Sequence, residues 1–432
     1  MNKLAEELNE VLKGTVAERL FSDFGKRIYF PKGIVAQGAE AKKHAKRFNA
    51  TVGMAYAGGE PLELPSLKRY IPELNPAEAV SYAPTPGDEE LRKLWKGELV
   101  KKNEDLKGKS FSLPMVVPGL TSGITQIADL FVDKDDQVVL PDMYWGNYRL
   151  ILEERRCARI KSFPFFTEGG KLNISAMAEA IKSGSSEKGK VVLLLNFPNN
   201  PTGYSPTVAE AEEITSTIKS LADKGDDILI INDDAYFGLF YEENTYKQSL
   251  FASLCSIHDN VLAVKVDGAT KEDFAWGFRI GFLTFGSPGL KEEHYQALEK
   301  KLMGAVRSSV SNSSRLSQSL LKKVMLSPTY YEEKAKYFEM LKERYLEVKK
   351  VLSEGEREES LVALPFNSGY FMSFRVRGVN ADELRKELLY KEGVGTIAIQ
   401  DTHLRVAYSS VDKENIRNLY ELIFSVAKRI SL

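Results

Sequence analysis

Lys190-Val-Val-Leu-Leu-Leu-Asn196-Phe-Pro-Asn-Asn200-Pro-Thr-Gly203 joins an apolar run to a turn whose backbone is fixed by two prolines and a terminal glycine. A run of this length bounded by turn residues reads as a strand covered on both faces. Upstream, predicted helices at 123–131, 147–155 and 175–183 alternate with predicted strands at Gln137–Leu140 and Ala158–Phe163. Downstream come a long helix at Thr207–Lys224 and the strands Asp227–Asn232 and Val261–Val266. This alternation predicts an α/β architecture with parallel strands between helices. Ligands of such sheets bind beyond the carboxyl ends of the strands, and the polar signatures of this chain begin where its apolar runs stop.

Farther out, residues 3–13 and Val16–Phe24 read as short amphipathic helices followed by an irregular arm to about Asn49. Gly58, Gly59 and Pro61, then Pro65, Pro72, Pro76, Pro84 and Pro86, mark a stretch expected to lack regular structure. A helix starts after Asp88, a capping residue by type, with Leu91, Leu94, Trp95 and Leu99 on one face. Helical periodicity covers 287–325 with a break around Ser308–Ser314, and again Thr329–Leu352. Beyond the charged connector Ser353–Ser360, short strands near 361–364, 370–376, 396–398 and 404–407 mix with helices at 381–391 and 413–430, an α+β tail. The expected division is an arm over 1–50 that also forms part of the small domain, a large domain over 51–325 and a small domain over 326–432.

The 432 residues carry 59 Lys plus Arg against 60 Asp plus Glu, a net charge of -1, so no global field draws in nucleic acid or an anionic membrane. The expected partners are small molecules and a second copy of the chain. Two cysteines far apart suggest neither a metal site nor a disulfide framework, and fit a cytoplasmic setting. No apolar run approaches the ~20 residues that span a bilayer.

Chemistry is concentrated in a few places. Lys271 lies between the apolar runs Val261–Val266 and Phe278–Phe285, with Arg279 eight residues later. A lysine amine held inside the protein loses charge stabilisation, its pKa falls, and it becomes a nucleophile toward a carbonyl such as the aldehyde of pyridoxal phosphate. A solvated surface lysine is the competing reading of that stretch alone. Thr121-Ser-Gly-Ile-Thr125 opens a helix and offers backbone N–H groups to an anion, although capping accounts for the hydroxyls equally well. Trp145 follows a strand end, where an indole either stacks on a cofactor ring or packs in the core. Asn199 and Asn200 carry amides able to donate to a phenolate oxygen. Asp233, with Tyr236 three residues on, follows the strand 228–231; a carboxylate there either keeps a pyridinium nitrogen protonated or caps a turn. Arg405 sits within an apolar strand, and its fork suits either a substrate carboxylate or an internal acid.

From about residue 50 to the end, the order and spacing of these motifs resemble the class I/II aminotransferases, the fold-type I pyridoxal phosphate enzymes. The resemblance implies a large domain with a mostly parallel seven-stranded sheet between helices and a smaller α+β domain. It makes Lys271 the Schiff-base lysine and places Arg279 with Ser122, Gly123 and Ile124 on the cofactor phosphate. Trp145 would stack on the ring, Asn200 and Tyr236 hold the phenolate oxygen, and Asp233 hold the ring nitrogen. Arg405 would bind the substrate α-carboxylate, while Gly58 and Gly59 match the glycine turn that lets substrate approach. Tyr82 matches the tyrosine that reaches the neighbouring subunit's phosphate, which implies a homodimer. Arg307 is similar to the residue that grips a distal carboxylate in aspartate aminotransferases, or is a solvated helix arginine. One position departs from the pattern: three residues before the lysine, where the family often has a phosphate-binding Ser or Thr, stands Gly268, and Thr270 is the available substitute. The expected activity is ping-pong transfer from an acidic or aromatic L-amino acid to a 2-oxo acid such as 2-oxoglutarate. A lyase or decarboxylase on the same scaffold is the alternative.

Overall fold

A computed structural model describes residues 1–11, 13, 26–27, 34–184, 189–354 and 359–431. The helix expected at Val16–Phe24 and residues 355–358 of the connector at 353–360 lie outside the described residues.

Two sheets organise the chain. The larger takes β4 (Met115–Val117), β5 (Gln137–Pro141), β6 (Arg159–Phe163), β7 (Lys190–Asn196), β8 (Asp227–Asp233), β9 (Val261–Asp267) and β10 (Gly281–Gly286), in the spatial order β4-β10-β9-β8-β7-β5-β6. Every pairing is parallel except those of β10, which runs antiparallel to both its neighbours. That reversal was not legible in an apolar run flanked by others, and it matters for the site. An antiparallel β10 begins at the edge where β9 ends, so Arg279 and Lys271 meet at one edge although eight residues separate them.

The smaller sheet orders β11 (Leu361–Ala363), β12 (Phe371–Val376), β15 (His403–Ala407) and β14 (Ile397–Ile399), all antiparallel. The arm is tied to this half of the molecule, because β1 (Phe48–Asn49) pairs with β13 (Val394–Gly395). The long helix Tyr330–Glu354 packs on the C-terminal helix Lys413–Ser431. Between the sheets, the turn ending at Gly203 abuts β12: a Cβ at Gly203, whose φ is +73°, would lie 1.9 Å from the Phe371 carbonyl oxygen. Only glycine fits that position.

The proline-rich stretch is more regular than expected. Pro65 and Pro76 open short helices, Pro65–Tyr70 and Pro76–Ala79, and Pro72 sits in the first turn of another. A first-turn proline loses nothing, since the N–H there has no intrahelical acceptor. Asp88 caps Glu89–Lys102 through the Leu91 N–H, as its type indicated. Among the described residues, no helix is long and apolar enough to cross a membrane.

Candidate active site

A cavity of about 280 Å³ opens at the carboxyl edge of the large sheet, against β12 and β15 of the small one. Strand register explains the gathering. Asn196 and Asp233 are paired residues at the ends of β7 and β8, and Lys271 follows β9 in a four-residue helix, Ala269–Glu272. Leu120 and Thr121 follow β4, and Trp145 and Tyr148 follow β5.

Lys271 is half-buried, and its Nζ lies 4.9 Å from the centre of the Tyr236 ring. Burial lowers its pKa to about 8; Asp233 opposes this and Arg279 adds to it. No carboxylate among the described residues lies within ion-pair distance of it. Asp233 is buried, and burial raises its pKa, partly offset by a hydrogen bond donated by Tyr148 and by the charge of Lys271. The Ala235 N–H donates to its second oxygen at 3.1 Å.

Asn200 and Asn199 part company. Asn199 is consumed by its own turn, accepting from Thr202 and donating to the Met143 carbonyl oxygen at 3.1 Å. Asn200 lines the cavity; its amide oxygen accepts from Arg405 Nη1 at 2.8 Å, which leaves its NH2 to offer. Arg405 is 2 % exposed, and its Nη2 donates to the Thr51 carbonyl oxygen at 2.9 Å. The guanidinium lies over the Phe371 ring at 4.3 Å, its Nε has no partner, and burial lowers its pKa to about 10. Its neighbours are an amide, a carbonyl and a ring, so the internal ion pair considered for it is absent among the described residues. Tyr236 also lines the cavity, with burial raising its phenol pKa.

The anion-binding stretch needs a correction at Gly123 and Ile124. The helix begins at Leu120, three residues before Gly123, with Gly119 as its N-cap. The N–H groups without intrahelical acceptors are therefore those of Leu120, Thr121 and Ser122. The Gly123 N–H bonds to the Gly119 carbonyl, and both Gly123 and Ile124 are buried, Gly123 facing Val117, Leu283 and Val266. Ser122 accepts from Gln126 at 3.2 Å. Leu120 and Thr121 line the cavity instead. Arg279 lies directly beside this N-terminus: a Cβ on Gly119, at φ +83°, would fall 2.7 Å from Arg279 Nη2.

One further expectation falls elsewhere, and two concern a second copy of the chain. Gly58 and Gly59 form an exposed hairpin turn between β2 (Tyr56–Ala57) and β3 (Glu60–Pro61), and the glycine that lines the cavity is Gly53. Tyr82 is 89 % exposed and Arg307 is exposed, its Nη1 bonded to Ser311; neither lines the cavity of its own chain. Sequence reasoning missed Thr51, Gly53, Tyr148, Asn196, Trp276 and Phe371, all on the cavity wall. For Tyr148 a signal existed, since it lies three residues after Trp145 on the same helical start; Thr51 and Phe371 arrive only through tertiary folding.

These residues fit pyridoxal phosphate. The donor set has an unpaired lysine, a buried carboxylate and a guanidinium beside a helix N-terminus, and the buried Thr270 hydroxyl on the same wall has no hydrogen-bond partner. Comparison with known proteins agrees. The family described as aminotransferase class I and II matches residues 54–423. The aspartate/prephenate aminotransferase of Thermus thermophilus is 24% identical over 356 residues, 81% of this chain and 83% of that protein. The aspartate aminotransferase of Bacillus subtilis is 27% identical over 204 residues, 46% of this chain, and there the chain spans about half the relative's length, 47%. An aminotransferase structure from Anaerococcus prevotii superposes with a TM-score of 0.81 at 26% identity, covering 93% of this chain and 98% of that one. The multiple substrate aminotransferase of Thermococcus profundus shares the fold, with a TM-score of 0.79 at 17% identity over 96% and 98% of the two chains.

Proposed function

The chain belongs to the class I and II aminotransferases, a family dependent on pyridoxal phosphate, and on that premise we propose that it moves an amino group from an L-amino acid to a 2-oxo acid such as 2-oxoglutarate. The observation that carries this reading is Lys271: a cavity-lining amine with no carboxylate partner and a pKa lowered by burial to about 8, between Asp233 and Arg279.

When bound, the cofactor supplies an aldehyde to which amines attach and a cationic ring that draws electrons from the substrate α-carbon. Lys271 would hold the aldehyde end, and its amine, neutral in a useful fraction near pH 8, would accept the α-carbon proton as general base. Asp233 would keep the ring nitrogen protonated: at contact distance and an effective dielectric near 20 such a pair attracts by about 4 kcal/mol. Asn200, through its free NH2, and Tyr236 would meet the phenolate oxygen. Trp145 would cover the ring face, and Arg279, Thr270 and the N–H groups of Leu120 and Thr121 would take the phosphate. Arg405, held open by Asn200 and Thr51, presents an uncompensated fork to the substrate carboxylate.

A homodimer is part of this reading. Val80 is 83 % and Tyr82 89 % exposed, with Ile71 and Leu316 also exposed on neighbouring elements that pack together. Such a cluster of apolar side chains suits a second copy, which would bring Tyr82 and Arg307 to the partner's cavity. The two cysteines are free, in accord with a cytoplasmic enzyme.

The test is to supply a panel of amino acids with and without 2-oxoglutarate. Keto-acid product that depends on the acceptor is expected. Acceptor-independent product would assign a lyase or decarboxylase instead. Arg307→Ala should impair aspartate far more than phenylalanine, and equal losses would return Arg307 to a surface role.

A further inference from the structure

The wall that would meet the phosphate is short of one donor. Gly268 stands where the family often has a hydroxyl, and packing forbids restoring one. A Cβ there would lie 2.5 Å from the Ile280 carbonyl oxygen, 2.9 Å from Gly281 Cα and 3.1 Å from Leu120 Cδ1. Strand β10 and the Leu120 helix have closed over the position.

The same wall holds a second polar atom without a partner among the described residues besides the Thr270 hydroxyl, the buried indole Nε1 of Trp276. An indole N–H can only donate, so what it lacks is an acceptor, and a buried donor without one is destabilising and calls for explanation. Its location narrows the choice of acceptor. Trp276 opens the short helix Trp276–Phe278 that ends in Arg279, and its carbonyl oxygen accepts from Arg279 Nη1 at 3.4 Å. The ring is braced edge-on against Phe274, with centroids 5.8 Å apart. One turn thus carries the indole and the guanidinium to the same cavity, where no carboxylate among the described residues pairs with Arg279.

We propose that Trp276 is a phosphate-binding residue of this enzyme, its indole N–H standing in, with the Thr270 hydroxyl, for the side chain that Gly268 lacks. This rests on the pyridoxal phosphate reading above. Phosphate oxygens accept several hydrogen bonds each, and an N–H donated to a charged oxygen is stronger than one to a neutral acceptor.

The experiment titrates cofactor-free protein with pyridoxal phosphate and, separately, with pyridoxal, following near-visible absorbance, in the wild type and in Trp276→Phe, which keeps an aromatic ring and removes the N–H. The expected result is a Kd for pyridoxal phosphate raised roughly ten- to hundredfold, as for loss of one bond to a charged group, with the Kd for pyridoxal unchanged. Inorganic phosphate, as a competitor against pyridoxal phosphate, should lose potency in the variant in parallel. Equal weakening of both compounds would mark a packing role and overturn the proposal, as would no change in either. If the wild type binds neither compound, the cofactor reading itself fails; a wild type that binds while the variant is indifferent removes only Trp276.

Discussion

Two lysines six residues apart, Lys265 in β9 and Lys271 just beyond it, are placed in opposite electrostatic company. Lys265 is 0% exposed, bonded to Asp234 and 3.5 Å from Asp267, with the Phe237 ring 4.4 Å from its Nζ. Its carboxylates are themselves held: Ser249 donates to Asp234 at 2.6 Å and the Trp95 indole to Asp267 at 3.2 Å. Burial pulls the Lys265 pKa down, but the two aspartates pull it up further, and the net direction is upward. Among the described residues Lys271 has no such partner. Even Glu272, next in the chain, is taken by Lys102 and Lys334, so burial prevails and the pKa falls to about 8. Burial alone does not make a reactive amine; burial without a contacting carboxylate does.

Exchanging the two sites' roles by mutation should fail in opposite ways. Lys271→Ala is expected to abolish near-visible absorbance with pyridoxal phosphate and to lower turnover by at least about 10²–10⁴-fold, the usual worth of a positioned acid–base group, while the melting temperature does not fall. Lys265→Met should do the reverse, costing about 3–5 kcal/mol of stability because it strands buried carboxylates, with the absorbance retained in the folded fraction by denaturant titration. Arg405→Lys replaces a fork by a point charge; kcat/KM for every amino donor should fall, roughly ten- to hundredfold for one lost charge-assisted bond. The smallest effect is on pH dependence. Between about 8 and the ordinary lysine value of 10.5, the unfolded chain holds a proton that native Lys271 has released, so its contribution makes stability rise with pH in that window. The Lys265 contribution is complete below 10.5 and is lost as pH rises through its higher folded value. Comparing stability against pH for wild type and Lys271→Ala should remove the rise and leave the decline.

The middle of the large sheet was legible because β7, β8 and β9 are largely apolar, buried runs, and each leads to a polar residue on the cavity wall: Asn200 after β7, Asp233 at the end of β8, Lys271 after β9. What stayed hidden depended on contacts distant in sequence. The direction of β10 is set by its partners, not by its own residues. The helix at Leu120 starts earlier than its hydroxyl-rich segment suggests, so the free N–H groups fall on Leu120, Thr121 and Ser122 and not on Gly123 and Ile124. Asn199 and Asn200 are identical in type, and only the bonds of Asn199, to Thr202 within the turn and to Met143 distant in sequence, separate them. Thr51 and Phe371 reach the cavity from the segment just after the arm and from the small sheet, where no local pattern marks them.

The most direct measurement is reductive trapping: the protein is mixed with pyridoxal phosphate, treated with borohydride, digested and mapped by mass spectrometry. A single modification on Lys271, with Lys265 unlabelled, is expected. A label distributed over surface lysines, or none at all, would contradict the assignment of Lys271.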